Sequence, residues 1–126
     1  RAKVWADGGK PLSEACDESM SDAFPEEFEV LDCDRIMIKP RFSAFFATSL
    51  DIVLRRLGVQ TVVLAGTTTP NCIRTTCYDA LSLDYDVIVL SDCTSSVTPQ
   101  VQRANLEDMQ RIGAQIMTLD EIKNHS

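Results

Sequence analysis

A chain of 126 residues, 44% hydrophobic and 25% charged, is sized for one compact globular domain around a single core. Its 19 acidic side chains outnumber 12 basic ones, giving a formal net charge of -7, and its Lys and Arg residues are scattered, which excludes nucleic acid as the expected partner. No apolar run reaches the roughly 18 residues that span a membrane, and the first residues lack the basic-then-apolar layout of a secretory leader; the expectation is a soluble, cytoplasmic protein with no membrane partner.

The opening stretch, RAKVWADGGKPLSEACDESMSDAFPEEFEV, is polar, acidic and without a strong period. It reads as a long surface connection, as though the chain enters a fold partway. Ile36 to Ile38, closed by Lys39 and Pro40, form a short apolar run that reads as a buried strand ending at its C-terminal edge. From 48 to 57, Leu50, Val53, Leu54 and Leu57 recur at helical spacing, with Thr48 and Asp51 set as a capping box and Gly58 as the stop. QTVVLAG, 60 to 66, is a β-branched run of strand length, and NCIRTTCYDALSL then places Ile73, Cys77, Ala80 and Leu81 on one helical face. DVIVLSD, 86 to 92, is a third buried run, followed by Thr98 and Pro99 as the opening of a helix that ends near Gly113. AQIMT, 114 to 118, is a weaker strand nearer the sheet edge, and Thr118 with Glu121 forms the capping box of a last short helix. Apolar strands alternating with amphipathic helices predict the α/β class. The expected architecture is a three-layer, doubly wound, Rossmann-like parallel sheet with helices on both faces and right-handed crossovers, in a single domain over 1 to 126.

The five cysteines, Cys16, Cys33, Cys72, Cys77 and Cys93, are odd in number and sit in apolar or element-edge contexts, so they are expected reduced. With His125 as the lone histidine and no C-x₂-C pair, no metal site is expected. In an open parallel sheet, ligands gather beyond the C-terminal ends of the strands, where Lys39 and Cys72 both fall. Cys72 also falls in the first turn of the following helix, where unpaired N–H groups and the dipole favour an anion, so its thiol is expected to ionise easily and act as a nucleophile. Lys39 would add to that stabilisation, and N–H groups around Thr67 to Cys72 would receive an oxyanion. The alternative for Cys72 is a small buried hydrophobe. Cys77 reads as core, and Cys93 as a loop residue on the active edge.

KPRFSAFFATSLDIVLRRLGVQTVVLAGTTTPNCIRTTCYDALSLDYDVIVLSDCTSS resembles the core of the isochorismatase-like cysteine hydrolases, over about residues 36 to 118. That group includes isochorismatases, nicotinamidases, N-carbamoylsarcosine amidases and ureidoacrylate amidases. KPRFSAF matches a K-x-R-x-S-x-F-like segment and supplies Lys39. GTTTPNCI matches a G-x-x-T-x-x-C-V pattern and supplies Gly66, Thr69 and Cys72. The resemblance implies catalytic Cys72 and Lys39, a cis peptide at Thr67–Thr68, and oxyanion donors at the N–H groups of Thr68 and Cys72. Phe42, Phe45 and Phe46 are candidates to line a small pocket, with core packing the alternative for any one of them; Phe45 and Thr69 are the substrate-binding candidates. No cofactor is implied, and a homo-oligomer, dimer or tetramer, is.

Two parts of the family pattern are missing from the sequence. The resemblance calls for a general-base aspartate in a D-x-Q-like segment on a first strand; Asp7 and Asp34 do not match that context, so the N-terminal strand or strands are expected to be lacking, leaving sheet edges for another chain or segment to cover. The D-x-H…H metal arrangement of nicotinamidases is also missing, which points to the metal-free amidases, on the ureidoacrylate and N-carbamoylsarcosine side. The expected function is hydrolysis of a C–N bond, amide or ureido, in a small molecule through a Cys72 thioester. A vinyl-ether hydrolase of the isochorismatase type and a noncatalytic scaffold are the alternatives.

Overall fold

The computed structural model describes residues 29 to 124, and the chain falls into two compact units, Arg1–Ile38 and Lys39–Ser126. In the first, the described residues carry one tight turn, in which the Asp34 N–H reaches the Leu31 carbonyl at 3.0 Å and the Leu31 N–H reaches the Asp34 carboxylate at 2.8 Å. The strand expected at Ile36–Ile38 does not form: the segment pairs with no described strand, and Ile36 and Ile38 are 63% and 68% exposed. An apolar run becomes a strand only where a neighbour takes up its backbone N–H and C=O groups.

The second unit alternates as its sequence pattern predicts. In chain order it holds α1 (Leu50–Arg56), β1 (Thr61–Thr67), a π-helical turn (Thr69–Ile73) running into α2 (Arg74–Ser82), β2 (Asp86–Ser95), α3 (Pro99–Arg111), β3 (Gln115–Met117) and α4 (Leu119–Lys123). The three strands are parallel in the order β1-β2-β3. Two successive crossovers of the same hand leave α2 and α3 on one face of the sheet, where Arg74 of α2 meets Asp108 of α3 at 3.0 Å. β2 is central, and its Val87, Ile88, Val89 and Leu90 are all buried. β1 is an edge strand among the described residues and leaves Val63 46% exposed, so the covering on both faces that its apolar run predicts is incomplete there. Among the described residues no helix is long and apolar enough to cross a membrane.

Local sequence explains most element ends. Thr98 accepts from the Val101 N–H at 3.1 Å with Pro99 behind it, and Thr118 and Glu121 form the expected reciprocal box. Each helix that precedes a strand closes with paired 6→1 and 5→2 bonds: Val59 to Leu54 and Gly58 to Arg55, Tyr85 to Ala80 and Asp84 to Leu81, Ala114 to Met109 and Gly113 to Gln110. Glycine supplies the left-handed residue at Gly58 and Gly113, and Asp84 takes it at φ 68°. The capping box expected from Thr48 and Asp51 is not made. Thr48 instead gives its hydroxyl to the Ala44 carbonyl and accepts from the Leu50 N–H. The Asp51 carboxylate is drawn inward, accepting from the Tyr85 hydroxyl at 2.6 Å and pairing with Arg55, which lies 4.2 Å over the Tyr85 ring. A buried phenol needs an acceptor, and that need outweighs a cap.

The core gathers Ile73, Cys77, Ala80, Tyr85, Val89 and Met109. Cys77 is fully buried, and burial pushes its thiol up from 9.0 to about 11 against the pull of nearby Arg74. The folded state therefore favours the protonated thiol, so this contribution to stability is whole below pH 9 and is lost as the pH climbs towards 11. Denaturant titrations between neutral and alkaline pH should show this fall, and Cys77→Ala should flatten that part of the profile. Asp84→Gly, which relieves a left-handed non-glycine residue, should raise stability by up to about 1 kcal/mol in the same assay.

Candidate active site

The site is built where β1 ends. Along most of their length β1 and β2 pair residue for residue, but between Leu64–Val89 and Gly66–Thr94 one residue, Ala65, faces the four residues 90 to 93 of β2. The excess is taken up locally. Thr94 gives its hydroxyl to the Leu90 carbonyl at 2.9 Å, Asp92 accepts from the Leu119 N–H at 2.9 Å, and Gln102 of α3 donates to the Thr94 hydroxyl at 3.0 Å. β2 thereby returns to pair Thr94 with Gly66 and Ser95 with Thr67. Gly66 has φ 127°, a conformation side-chain-bearing residues rarely adopt. One residue further on, the Thr67–Thr68 peptide bond is cis.

Thr68 is extended and starts the π-helical turn. Its carbonyl accepts from the N–H groups of Asn71 at 3.1 Å and Ile73 at 3.4 Å, and its hydroxyl from the Asn71 amide at 3.1 Å. Cys72 thus lies in this wide turn just ahead of α2 rather than in an ordinary first α-helical turn. Thr69 is fully buried and donates to the Ser95 carbonyl at 3.1 Å, bolting the turn to the returned end of β2.

Lys39 comes to the turn from the other side. Its Nζ lies 3.3 Å from Cys72 Sγ, 2.5 Å from the Arg41 carbonyl and 3.2 Å from that of Phe42. Three acceptors match the three N–H bonds of an ammonium. The segment after Lys39 is tied to α2 by the Ala44 N–H, which donates to Thr76 Oγ1 at 2.9 Å. Beside the turn lies a cavity of about 630 Å³ whose walls include Arg41, Phe42, Phe46, Pro70, Arg74 and Tyr78, within the size range of small-molecule sites. Chemically, the arrangement offers a half-exposed sulfur nucleophile, a fixed positive charge against it and an adjoining apolar hollow.

The residues read from sequence divide into two groups. Lys39 meets Cys72, and Thr67 and Thr68 lead into the turn that carries it. Thr69, expected on the substrate side, points into the protein interior instead, because its hydroxyl is spent on Ser95. Phe45 stacks on Tyr85 at 5.9 Å and packs on the core, while Phe42 and Phe46 line the cavity. Cys93 lies in the bulged part of β2, where burial and the adjacent Asp92 raise its thiol pKa. Cys33, Cys72, Cys77 and Cys93 are all free thiols. Asp34 is engaged in its own local turn, and Asp7, Cys16 and His125 lie outside the described residues. Sequence reasoning missed Arg74, two residues past Cys72, which holds Asn105 at 2.9 Å and Asp108 at 3.0 Å on α3. It also missed Arg41, whose place within KPRFSAF was the available signal.

The chain is similar to known proteins over most of its length. The profile of the Isochorismatase domain matches residues 6–121. A probable inactive nicotinamidase from Arabidopsis thaliana is 48% identical over 89 residues, covering 70% of this chain and 45% of the relative. A ureidoacrylate amidohydrolase from Serratia proteamaculans is 36% identical over 92 residues, covering 72% of this chain and 37% of the relative. The chain thus spans less than half the length of these two curated relatives. Among solved structures, an isochorismatase-like hydrolase from Alkaliphilus metalliredigens superposes with a TM-score of 0.77 at 38% identity, covering 81% of this chain and 56% of that one.

The Thr69 bolt generates a prediction. Thr69→Val keeps the shape but strands the Ser95 carbonyl, and should lower unfolding free energy by about 1 to 3 kcal/mol. Thr69→Ser should retain most of it, as read by denaturant unfolding of the three proteins side by side.

Proposed function

The chain belongs to the isochorismatase family, and from that premise we propose that it is a cysteine hydrolase cleaving an amide-type C–N bond of a small molecule through a thioester on Cys72. The observation that carries this reading is the 3.3 Å approach of Lys39 Nζ to Cys72 Sγ at the end of a parallel strand. An ammonium held there by two main-chain carbonyls supports a sulfur anion.

In the proposed reaction Sγ attacks the carbonyl carbon, forming a C–S bond and placing the electron pair on oxygen. The N–H groups of Thr68 and Cys72 receive that oxyanion. Its collapse breaks the C–N bond, and the amine departs with the proton that began on the thiol. Water then adds to the thioester, the C–S bond breaks, and the acid leaves with the thiol restored. Among the described residues no carboxylate is hydrogen-bonded to Sγ, so the aspartate base that the family resemblance calls for is not among them. General-base help of that kind typically contributes 10²–10⁴-fold.

The 48% identity to a relative named as a probable inactive nicotinamidase favours a second reading: a protein that keeps the fold and the cysteine without turnover. Mass spectrometry after brief exposure to small primary amides separates the two. Catalysis predicts an acyl adduct confined to Cys72, lost in Cys72→Ala and much reduced in Lys39→Met. Labelling spread evenly over the cysteines, or no adduct at all, favours the inactive protein.

A further inference from the structure

We propose that Lys39 and Cys72 form a reversible covalent cross-link, a sulfenamide bond between Nζ and Sγ, once hydrogen peroxide has oxidised the sulfur. The chemistry needs no turnover, so it holds for the hydrolase and for the inactive protein alike. It starts from one contact: Nζ lies 3.3 Å from Sγ, inside the range of roughly 3 to 3.5 Å in which two atoms are placed to react. The carbonyls of Arg41 and Phe42 keep the amine there, at 2.5 and 3.2 Å.

A sulfenic acid condenses with a thiol to a disulfide or with a nitrogen to a sulfenamide, so its nearest nucleophile decides its fate. Cys72 is partly exposed and a free thiol, open to a small oxidant. The other thiols of this unit are otherwise engaged. Cys77 is fully buried in the core, its thiol pushed up to about 11 and so kept protonated, and Cys93 gives its proton to the Asp92 carboxylate at 3.7 Å in the bulged part of β2. The backbone nitrogen next along the chain, that of Ile73, is held in the π-helical turn with its N–H on the Thr68 carbonyl at 3.4 Å. Lys39 is the nitrogen already in contact with the sulfur.

In the first step Sγ takes one oxygen from hydrogen peroxide. The O–O bond breaks, an S–O bond forms, the thiol is oxidised to a sulfenic acid and the peroxide is reduced to water. Lys39 covers one side of the sulfur, so the oxygen arrives on a side away from Nζ and the amine faces the bond it must break. In the second step Nζ gives one proton to solvent and attacks Sγ; the S–N bond forms, the S–O bond breaks, and the departing hydroxyl takes a second proton from nitrogen and leaves as water. The remaining N–H stays beside the two carbonyls that held the ammonium. Reversal needs a small thiol, which attacks Sγ as the S–N bond breaks and Nζ regains a proton, and a second thiol then frees Cys72 from the mixed disulfide. The cross-link thus silences the sulfur and its cation together, and keeps the sulfur short of sulfinic acid, which thiols do not reverse.

The test treats the purified, reduced protein with hydrogen peroxide and reads its proteolytic digest by mass spectrometry. The native digest should contain the peptides of Lys39 and Cys72 joined to each other, two hydrogens lighter than their sum. Dithiothreitol should part them and return Cys72 to alkylation by iodoacetamide. Lys39→Arg keeps the positive charge but stays protonated and cannot attack. In that variant the link should be lost, and Cys72 should pass to sulfinic acid at peroxide levels from which dithiothreitol still recovers the native residue. Native Cys72 found as sulfinic acid or in a disulfide, with no link to Lys39, overturns the inference, as does equal recovery in the native protein and Lys39→Arg. Should Lys39→Arg fail to fold, the native digest decides alone: the joined peptides uphold the cross-link and their absence removes it.

Discussion

The return of β2 to its partner, pairing Thr94 with Gly66 and Ser95 with Thr67, is the constraint on which the rest of the site depends. A turn that must present a sulfur at a defined point needs a fixed origin, and a loop leaving a frayed strand end would not provide one. Here the last residues of β1 remain paired up to the peptide bond that opens the turn. The Ser95 carbonyl then continues the ladder sideways by accepting the buried Thr69 hydroxyl. Gln102 supports the same segment from α3 through Thr94. Cys72 is thus placed by main-chain pairing and by side-chain bonds from Thr69 and Gln102, none of which involves the sulfur itself.

The positive charge is placed by a different device. A lysine side chain has about 2 kcal/mol of rotamer entropy to lose on ordering, and fixing it against a thiol alone would give little in return. Two main-chain carbonyls from the residues just after Lys39 offset that loss and leave the remaining donor aimed at Sγ. The segment is in turn fastened to α2 through Ala44 and Thr76, on the same helix that follows Cys72. Ammonium and thiol are therefore referenced to one element, so motion of the segment as a whole changes their separation little.

Much of this was legible in the sequence, for identifiable reasons. Helix stops at Gly58 and Gly113, and the caps at Thr98 and Thr118, are local features with few competitors, and the structure reproduces them. The strand-end position of Cys72 follows from alternation of elements, which is also a local signal. What failed to show depends on distant partners. Asp51 looks like a capping residue until Tyr85, 34 positions away, claims its carboxylate. Ile36 to Ile38 look like a strand until the question of a neighbour is asked, and none of the described strands provides one. Phe45 and Phe46 are adjacent and chemically alike, yet one stacks on Tyr85 and the other lines the cavity, a division that only packing decides. DVIVLSDCTSS reads as one strand and a loop, with nothing in composition to announce that four residues face one and that pairing then resumes.

The mismatch opposite Ala65 has a consequence for how the protein tolerates change in length. Residues 91 to 93, past the buried and β3-paired Leu90, resemble a surface excursion, the kind of place where homologous chains commonly gain or lose a residue without harm. Here they act as a spacer that sets the phase of everything after them. Removing one would carry Ser95 along by a strand step, about 3.3 Å, and turn its carbonyl to the opposite side. The Thr69 hydroxyl would then meet no acceptor, and the sulfur would drift from its ammonium by more than a hydrogen bond tolerates. The length of this excursion, rather than its composition, is what natural selection would have to hold constant.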